Sequence, residues 1–87
     1  MKVEINDNLI IEDFDEGMII LNMNTGKYLE ANELGCKIFA GLTKYNDTDL
    51  VYLDLKDEFD VANDILKRDI ESFIKDLERY SILKIKK

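Results

Sequence analysis

Residues Met18 to Gly35 read MIILNMNTGKYLEANELG, and this stretch decides the fold. Met18–Met23 is an apolar run with β-branched members, short enough for a strand. Asn24-Thr25-Gly26 is the strongest turn signal in the chain, and a short loop ending in glycine fits a type I turn closed by a bulge. Lys27–Ala31 is then the return strand. At Asn32 the pattern changes period. Asn32 is a good N-cap, able to accept from an orphan amide at a helix start. Ile38, Phe39 and Leu42 then recur at helical spacing with Gly35 on the same side. Glycine weakens a helix interior, so a close packing contact is expected at Gly35.

Upstream, Leu9-Ile10-Ile11 opens a strand that ends near Phe14, and Asp15-Glu16-Gly17 reads as a turn with glycine at positive φ. Met1–Asn8 is weakly patterned. Downstream, the first helix ends by Thr43–Asn46, and Asp47 or Thr48 caps a second. There Val51, Leu55 and Phe59 form a buried stripe with Leu50 and Tyr52 beside it, and Asp60-Val61 breaks the pattern. A third, longer helix runs from about Ala62 to Tyr80. Its stripe of Leu66, Ile70, Phe73, Ile74 and Leu77 is the clearest periodicity in the sequence. Ile82–Ile85 is a short final strand or an extended tail. Strands followed by helices argue α+β: a three-stranded antiparallel sheet followed by three helices, winged helix-turn-helix-like, in a single domain over 1–87.

The chain of 87 residues has net charge −7 and a hydrophobic content of 46%, enough for a core. Nucleic-acid binding draws on Lys and Arg against phosphate, so this balance counts against it. Lys84, Lys86 and Lys87 form the one dense basic cluster, which reads as a solvated tail. One cysteine and no histidine exclude an internal disulfide and the usual Cys/His zinc site. No signal peptide or membrane-length apolar run is present, so the expected location is cytoplasmic.

Catalytic residues are not expected. Cys36 would need a cationic environment and a base to react, and a buried small residue is the plainer reading. Asn46-Asp47-Thr48-Asp49 lacks the glycine of a calcium loop. The acids of the second and third helices, Asp54, Asp57, Glu58, Asp64, Asp69, Glu71 and Asp76, fit solvated faces with ion pairs one turn apart. No cofactor or metal is called for. What remains is a surface. With the third helix's stripe inward, one flank carries Ala62, Ile65, Asp69, Asp76 and Tyr80, with Phe73 at its border. Beside a free strand edge, this flank would complete a groove in which a peptide pairs its backbone and drops alternate side chains onto the helix. The plainer alternative is that Ile65 and Phe73 finish the core. Lys27 and Glu30 are residues that native edges use against aggregation.

Ile20-Leu21-Asn22 through Gly26-Lys27-Tyr28, then Asn32-Glu33-Leu34-Gly35, Ile38-Phe39 and Leu42, resembles the PqqD-like peptide chaperones. The resemblance continues through Leu55, Phe59-Asp60-Val61, Leu66, Asp69-Ile70, Phe73 and Leu77. It implies a free-standing RiPP recognition element, a non-catalytic module that binds the leader of a ribosomally made precursor peptide. Such a module presents the leader to a maturation enzyme: a radical SAM enzyme, a leader protease or a cyclase. It also implies that the leader adds as a strand to Lys27, Tyr28, Leu29, Glu30 and Ala31, against Ile65, Arg68, Asp69, Ser72, Phe73 and Asp76. Two departures stand out. Ala31 replaces the family's leucine, so a neighbour must fill that volume or a pocket opens. Tyr80-Ser81 stands where the family often ends the third helix with glycine. The expected state is a monomer or weak homodimer, with no membrane or nucleic-acid partner. A winged-helix DNA-binding regulator is the rival reading, because the helix trio alone does not separate the two.

Overall fold

The chain runs β1 (Lys2–Ile5), β2 (Leu9–Asp13), β3 (Gly17–Asn22), β4 (Tyr28–Asn32), α1 (Glu33–Tyr45), α2 (Thr48–Leu55), α3 (Asn63–Arg79) and β5 (Leu83–Lys86). The computed structural model describes residues 1–58 and 62–86. Phe59, Asp60 and Val61, expected to complete and break the second helix's stripe, and Lys87 of the basic cluster lie outside the described residues.

Strands β2, β3 and β4 form an antiparallel sheet in that order, with three helices following, as the sequence pattern requires. Gly26 takes φ +76°, and the amides of Thr25 and Gly26 both reach the Asn22 carbonyl, which makes the tight glycine-closed turn. Gly17 has no positive φ, contrary to the turn reading. Its role is close approach: a Cβ there would lie 2.5 Å from the Ala31 carbonyl oxygen and force β3 from β4.

One face of the sheet packs on the helices. Met18, Ile20 and Asn22 of β3 and Ala31 of β4 are buried there with Ile38, Phe39 and Leu42 of α1. Leu66, Ile70, Ile74 and Leu77 of α3 complete the core with Val51 and Leu55 of α2. Burying each such aliphatic side chain contributes about 1.5–3 kcal/mol. Along the opposite face Ile10, Leu21 and Tyr28 form one cross-strand row.

The helix boundaries follow their caps. Asn32 Oδ1 accepts from the Gly35 amide at 2.9 Å and starts α1. Asp47, not Thr48, caps α2, its Oδ1 accepting from the Asp49 amide at 2.9 Å. Asn46 ends α1 in the left-handed region at φ 54°, which asparagine tolerates.

Met1–Asn8 is more than a weakly patterned lead. Its residues Lys2–Ile5 pair antiparallel with Leu83–Lys86, so Ile82–Ile85 enters a strand rather than a loose tail. Val3, Ile82 and Leu83 are buried at the join. Lys84 and Lys86 are not a solvated tail either: their Nζ atoms lie 3.6 and 3.7 Å from the carboxylate of Glu4 on the neighbouring strand. Such exposed pairs add little stability but suit the register.

Candidate functional site

Among the described residues β4 pairs only with β3, so its other side is an open edge. Which residues face outward follows from the ladder's alternation. The Asn22 amide donates to the Lys27 carbonyl at 2.8 Å, across the narrow pair that closes the hairpin. On the far side of β3, the amides of Phe14 and Met23 reach Gly17 and Asn8 on the β2 side. Even-numbered residues of β3 therefore turn their backbone groups to β4, and their partners are Lys27, Leu29 and Ala31. The N–H and C=O groups left facing the open edge belong to Tyr28 and Glu30.

Side chains alternate the other way. Leu29 and Ala31 point to the helix side, Ala31 only 7% exposed, while Tyr28, 57% exposed, and Glu30 lie on the outer face. Lys27 precedes the strand; its amide donates to Thr25 Oγ1 at 3.1 Å, so its backbone is used by the turn.

Across from this edge stands α3. Phe73, expected in the core stripe, is half-buried at the border of the core. Its ring edge lies 3.2 Å from where a Cβ of Gly35 would sit, and the Ala31 Cβ would lie 3.0 Å from it. Gly35 is thus the close contact that the sequence anticipated, and it lets α1, β4 and α3 converge. Ile65, 45% exposed, and Arg68, Asp69 and Ser72 lie exposed on α3, and Asp76 is half-buried.

Two cavities adjoin here. The first, about 510 Å³, brings Glu30 and Ala31 together with Phe73. The second, about 260 Å³, brings together Asp69, Ser72, Phe73 and Asp76 against Leu34, Gly35 and Ile38 of α1. Ala31 lines the first cavity, so the small residue at that position coincides with open space. Of the expected residues, Lys27, Tyr28, Leu29, Ile65 and Arg68 line neither cavity. Phe14, Glu16 and Met18 line the first and were missed from sequence. An exposed aromatic beside the Asp15–Gly17 turn was the available signal. Two other hollows, one beside the β1–β5 pair and one between α2 and α3, lie away from the free edge.

Cys36 is half-buried, its Sγ 3.8 Å from the Ala31 carbonyl oxygen. Burial, then the negative field of Asp13, push its thiol above the usual range, and Glu33 adds to this against an opposing backbone hydrogen bond. The thiol is protonated at neutral pH, which removes the nucleophilic form. Among the described residues no group of three or more Cys, Asp or Glu side chains is placed to hold a metal ion, and Asp47 of the Asn46–Asp49 run is engaged as a cap.

The family model of coenzyme PQQ synthesis protein D (PqqD) matches residues 17–83, from β3 into β5. No curated protein sequence matches the chain. Two solved structures share the fold. TbiB1 in complex with the TbiA(beta) leader peptide superposes with a TM-score of 0.82 at 23% identity, over 97% of this chain and 95% of that one. A lasso peptide synthetase B1 complexed with the leader peptide also gives 0.82, at 20% identity, over 97% and 99%.

Proposed function

The chain belongs to the PqqD family, and from that premise we propose that it is a non-catalytic RiPP recognition element, acting as one domain over residues 1–87. It captures the leader of a ribosomally made precursor peptide and presents it to a maturation enzyme, either a radical SAM enzyme, a leader protease or a cyclase. The observation that carries this reading is the free β4 edge set against the Phe73 flank of α3. The two structural neighbours were both solved with a leader peptide, which supports it.

In this reading the leader adds as a strand beside Lys27–Ala31. Its backbone pairs with the unsatisfied N–H and C=O groups of Tyr28 and Glu30. Alternate side chains turn toward Ala31, Phe73 and the α3 residues Ile65, Arg68, Asp69, Ser72 and Asp76. Backbone pairing gives affinity with little regard to sequence, and the helix flank supplies the discrimination. The protein works in the cytoplasm as a monomer or weak homodimer, without a cofactor. No helix among the described residues is long and apolar enough to cross a membrane. No observation favours the DNA-binding reading. α3, which would have to enter a groove, carries five carboxylates (Asp64, Asp69, Glu71, Asp76, Glu78) against four cations (Lys67, Arg68, Lys75, Arg79).

The test is amide hydrogen exchange on the full chain, with and without a synthetic precursor leader that it binds. Slowed exchange at Tyr28 and Glu30 is expected. Binding that leaves both amides exchanging as in the free protein would refute strand addition at this edge.

A further inference from the structure

The two cavities of the groove meet at Asn32 and Phe73, which line both, so they form one trough divided by an aromatic ring. The larger is lined by the apolar Phe14, Met18 and Ala31 together with the carboxylates Glu16 and Glu30. The smaller has Leu34 and Ile38 beneath Asp69 and Asp76, with Ser72 between. Among the described residues no Lys or Arg lines either cavity. Of these four carboxylates only Asp76 has an ion pair among the described residues, a 3.9 Å contact with the largely exposed Arg79. That distance and exposure leave most of the negative charge unopposed.

Resting on the leader-binding reading, we propose that this groove selects a cationic leader. A Lys or Arg of the leader faces Asp69 or Asp76, which stand two helical turns apart on α3, and a large apolar side chain sits over Ala31 and Phe73. The two leader residues are an even number of positions apart, because alternate residues of an added strand share a face. A carboxylate-to-cation hydrogen bond in a partly dehydrated trough is stronger than a neutral one, and an acidic leader meets like charge at every acid it passes. The selection comes from repulsion as much as attraction. Backbone pairing at Tyr28 and Glu30 sets where along the edge this reading occurs.

The experiment is selection from a displayed library of random linear peptides against the full chain. The same selection is run against Asp69→Asn/Asp76→Asn and against Glu30→Pro. Winners on the unaltered protein are expected to be enriched in Lys or Arg at even spacing from Leu, Ile, Phe, Tyr or Trp. A synthetic winner should bind the Asp69→Asn/Asp76→Asn variant roughly tenfold more weakly, with a shallower salt dependence. Winners without excess Lys or Arg, or ones that bind the double variant as tightly as the unaltered protein, overturn the charge selection and leave the edge model standing. No winners at all, or winners that bind Glu30→Pro equally well, overturn the edge model and the selection with it.

Discussion

The side-chain amide of Asn22 donates to the main-chain carbonyl of Tyr80 at 3.0 Å, joining the hairpin turn to the end of α3. A second bond runs to the Ser81 carbonyl at 3.2 Å, and Asn22 Oδ1 accepts from the Asn24 amide at 2.9 Å. The side chain is fully buried and every polar atom is satisfied. Asn22→Asp should therefore turn a carboxylate toward two carbonyl oxygens, at a cost of about 3 kcal/mol or more. Burial and those oxygens raise the folded-state pKa of such a carboxyl. The part of the stability deficit that comes from ionisation is therefore absent below the unfolded carboxyl range, and it grows as pH rises until the folded value is passed. Urea titrations at neutral pH and near pH 4 should show the deficit shrinking on acidification.

Ser81 should be improvable. It sits at φ 57°, in the left-handed region, where the chain leaves α3. Its carbonyl, not its side chain, is what Asn22 and Asn6 bind. Ser81→Gly relieves a conformational cost of about 1–2 kcal/mol against a greater loss of unfolded-chain freedom, for a net gain of about 0.5–1 kcal/mol. In a domain of this size, that gain is a rise in Tm of a few degrees. An unchanged or lower Tm would show that the serine is not strained.

The two faces of the β4 ladder should separate in a proline pair. Leu29 lies opposite Ile20, and its N–H belongs to the β3–β4 ladder. Leu29→Pro should break the sheet and lower Tm, whatever the edge binds. The Glu30 N–H faces the open edge, so Glu30→Pro should leave circular dichroism and Tm nearly intact and abolish leader binding. A Glu30→Pro variant that folds and binds normally would remove β4 from the binding model.

Cys36 should be slow to react. With its thiol held above the usual range by burial and the nearby Asp13 charge, the thiolate fraction at neutral pH is below that of a free cysteine. Alkylation by iodoacetamide should lag that of the urea-unfolded chain, and its rate should climb only at alkaline pH. The linkage has a matching sign: the thiol's contribution to stability is present below the ordinary thiol pKa and is lost as pH rises through the folded value. Alkylated protein that has lost leader binding would assign Cys36 a place in the groove.

What the sequence disclosed was local. The Asn24–Gly26 turn, the Asn32 cap and the Leu66–Leu77 stripe each state their structure within a few residues, and each stands where it was read. The β1–β5 pair was hidden because its strands are four residues each, mixed with charge, and their partners sit at opposite ends of the chain. Only the tertiary fold makes KVEI and LKIK complementary. The flank of α3 was legible from the helix wheel, including Asp69, Phe73 and Asp76 around one cavity. Two things were not. The outward phase of Tyr28 and Glu30 depends on strand register, which a one-residue slip reverses. That Phe14 and Glu16 line the same cavity as Glu30 depends on where the β2–β3 turn folds back, and no spacing in the sequence encodes that.

The sheet has a second free edge. Among the described residues β2 also pairs only with β3, and its outward backbone groups are those of Leu9, Ile11 and Asp13. A ladder open at both ends is a polymerisation unit, since the β4 edge of one copy matches the β2 edge of the next, and repetition gives a filament that never closes. What stands in the way is the charge at both edges, Glu12, Asp13, Asp15 and Glu16 at one and Glu30 at the other, all exposed. The acidity that makes the protein selective is therefore also its colloidal guard. Concentrated solutions should therefore stay clear at neutral pH, and a fibrous, β-rich precipitate, checked by turbidity and circular dichroism, should form on acidification.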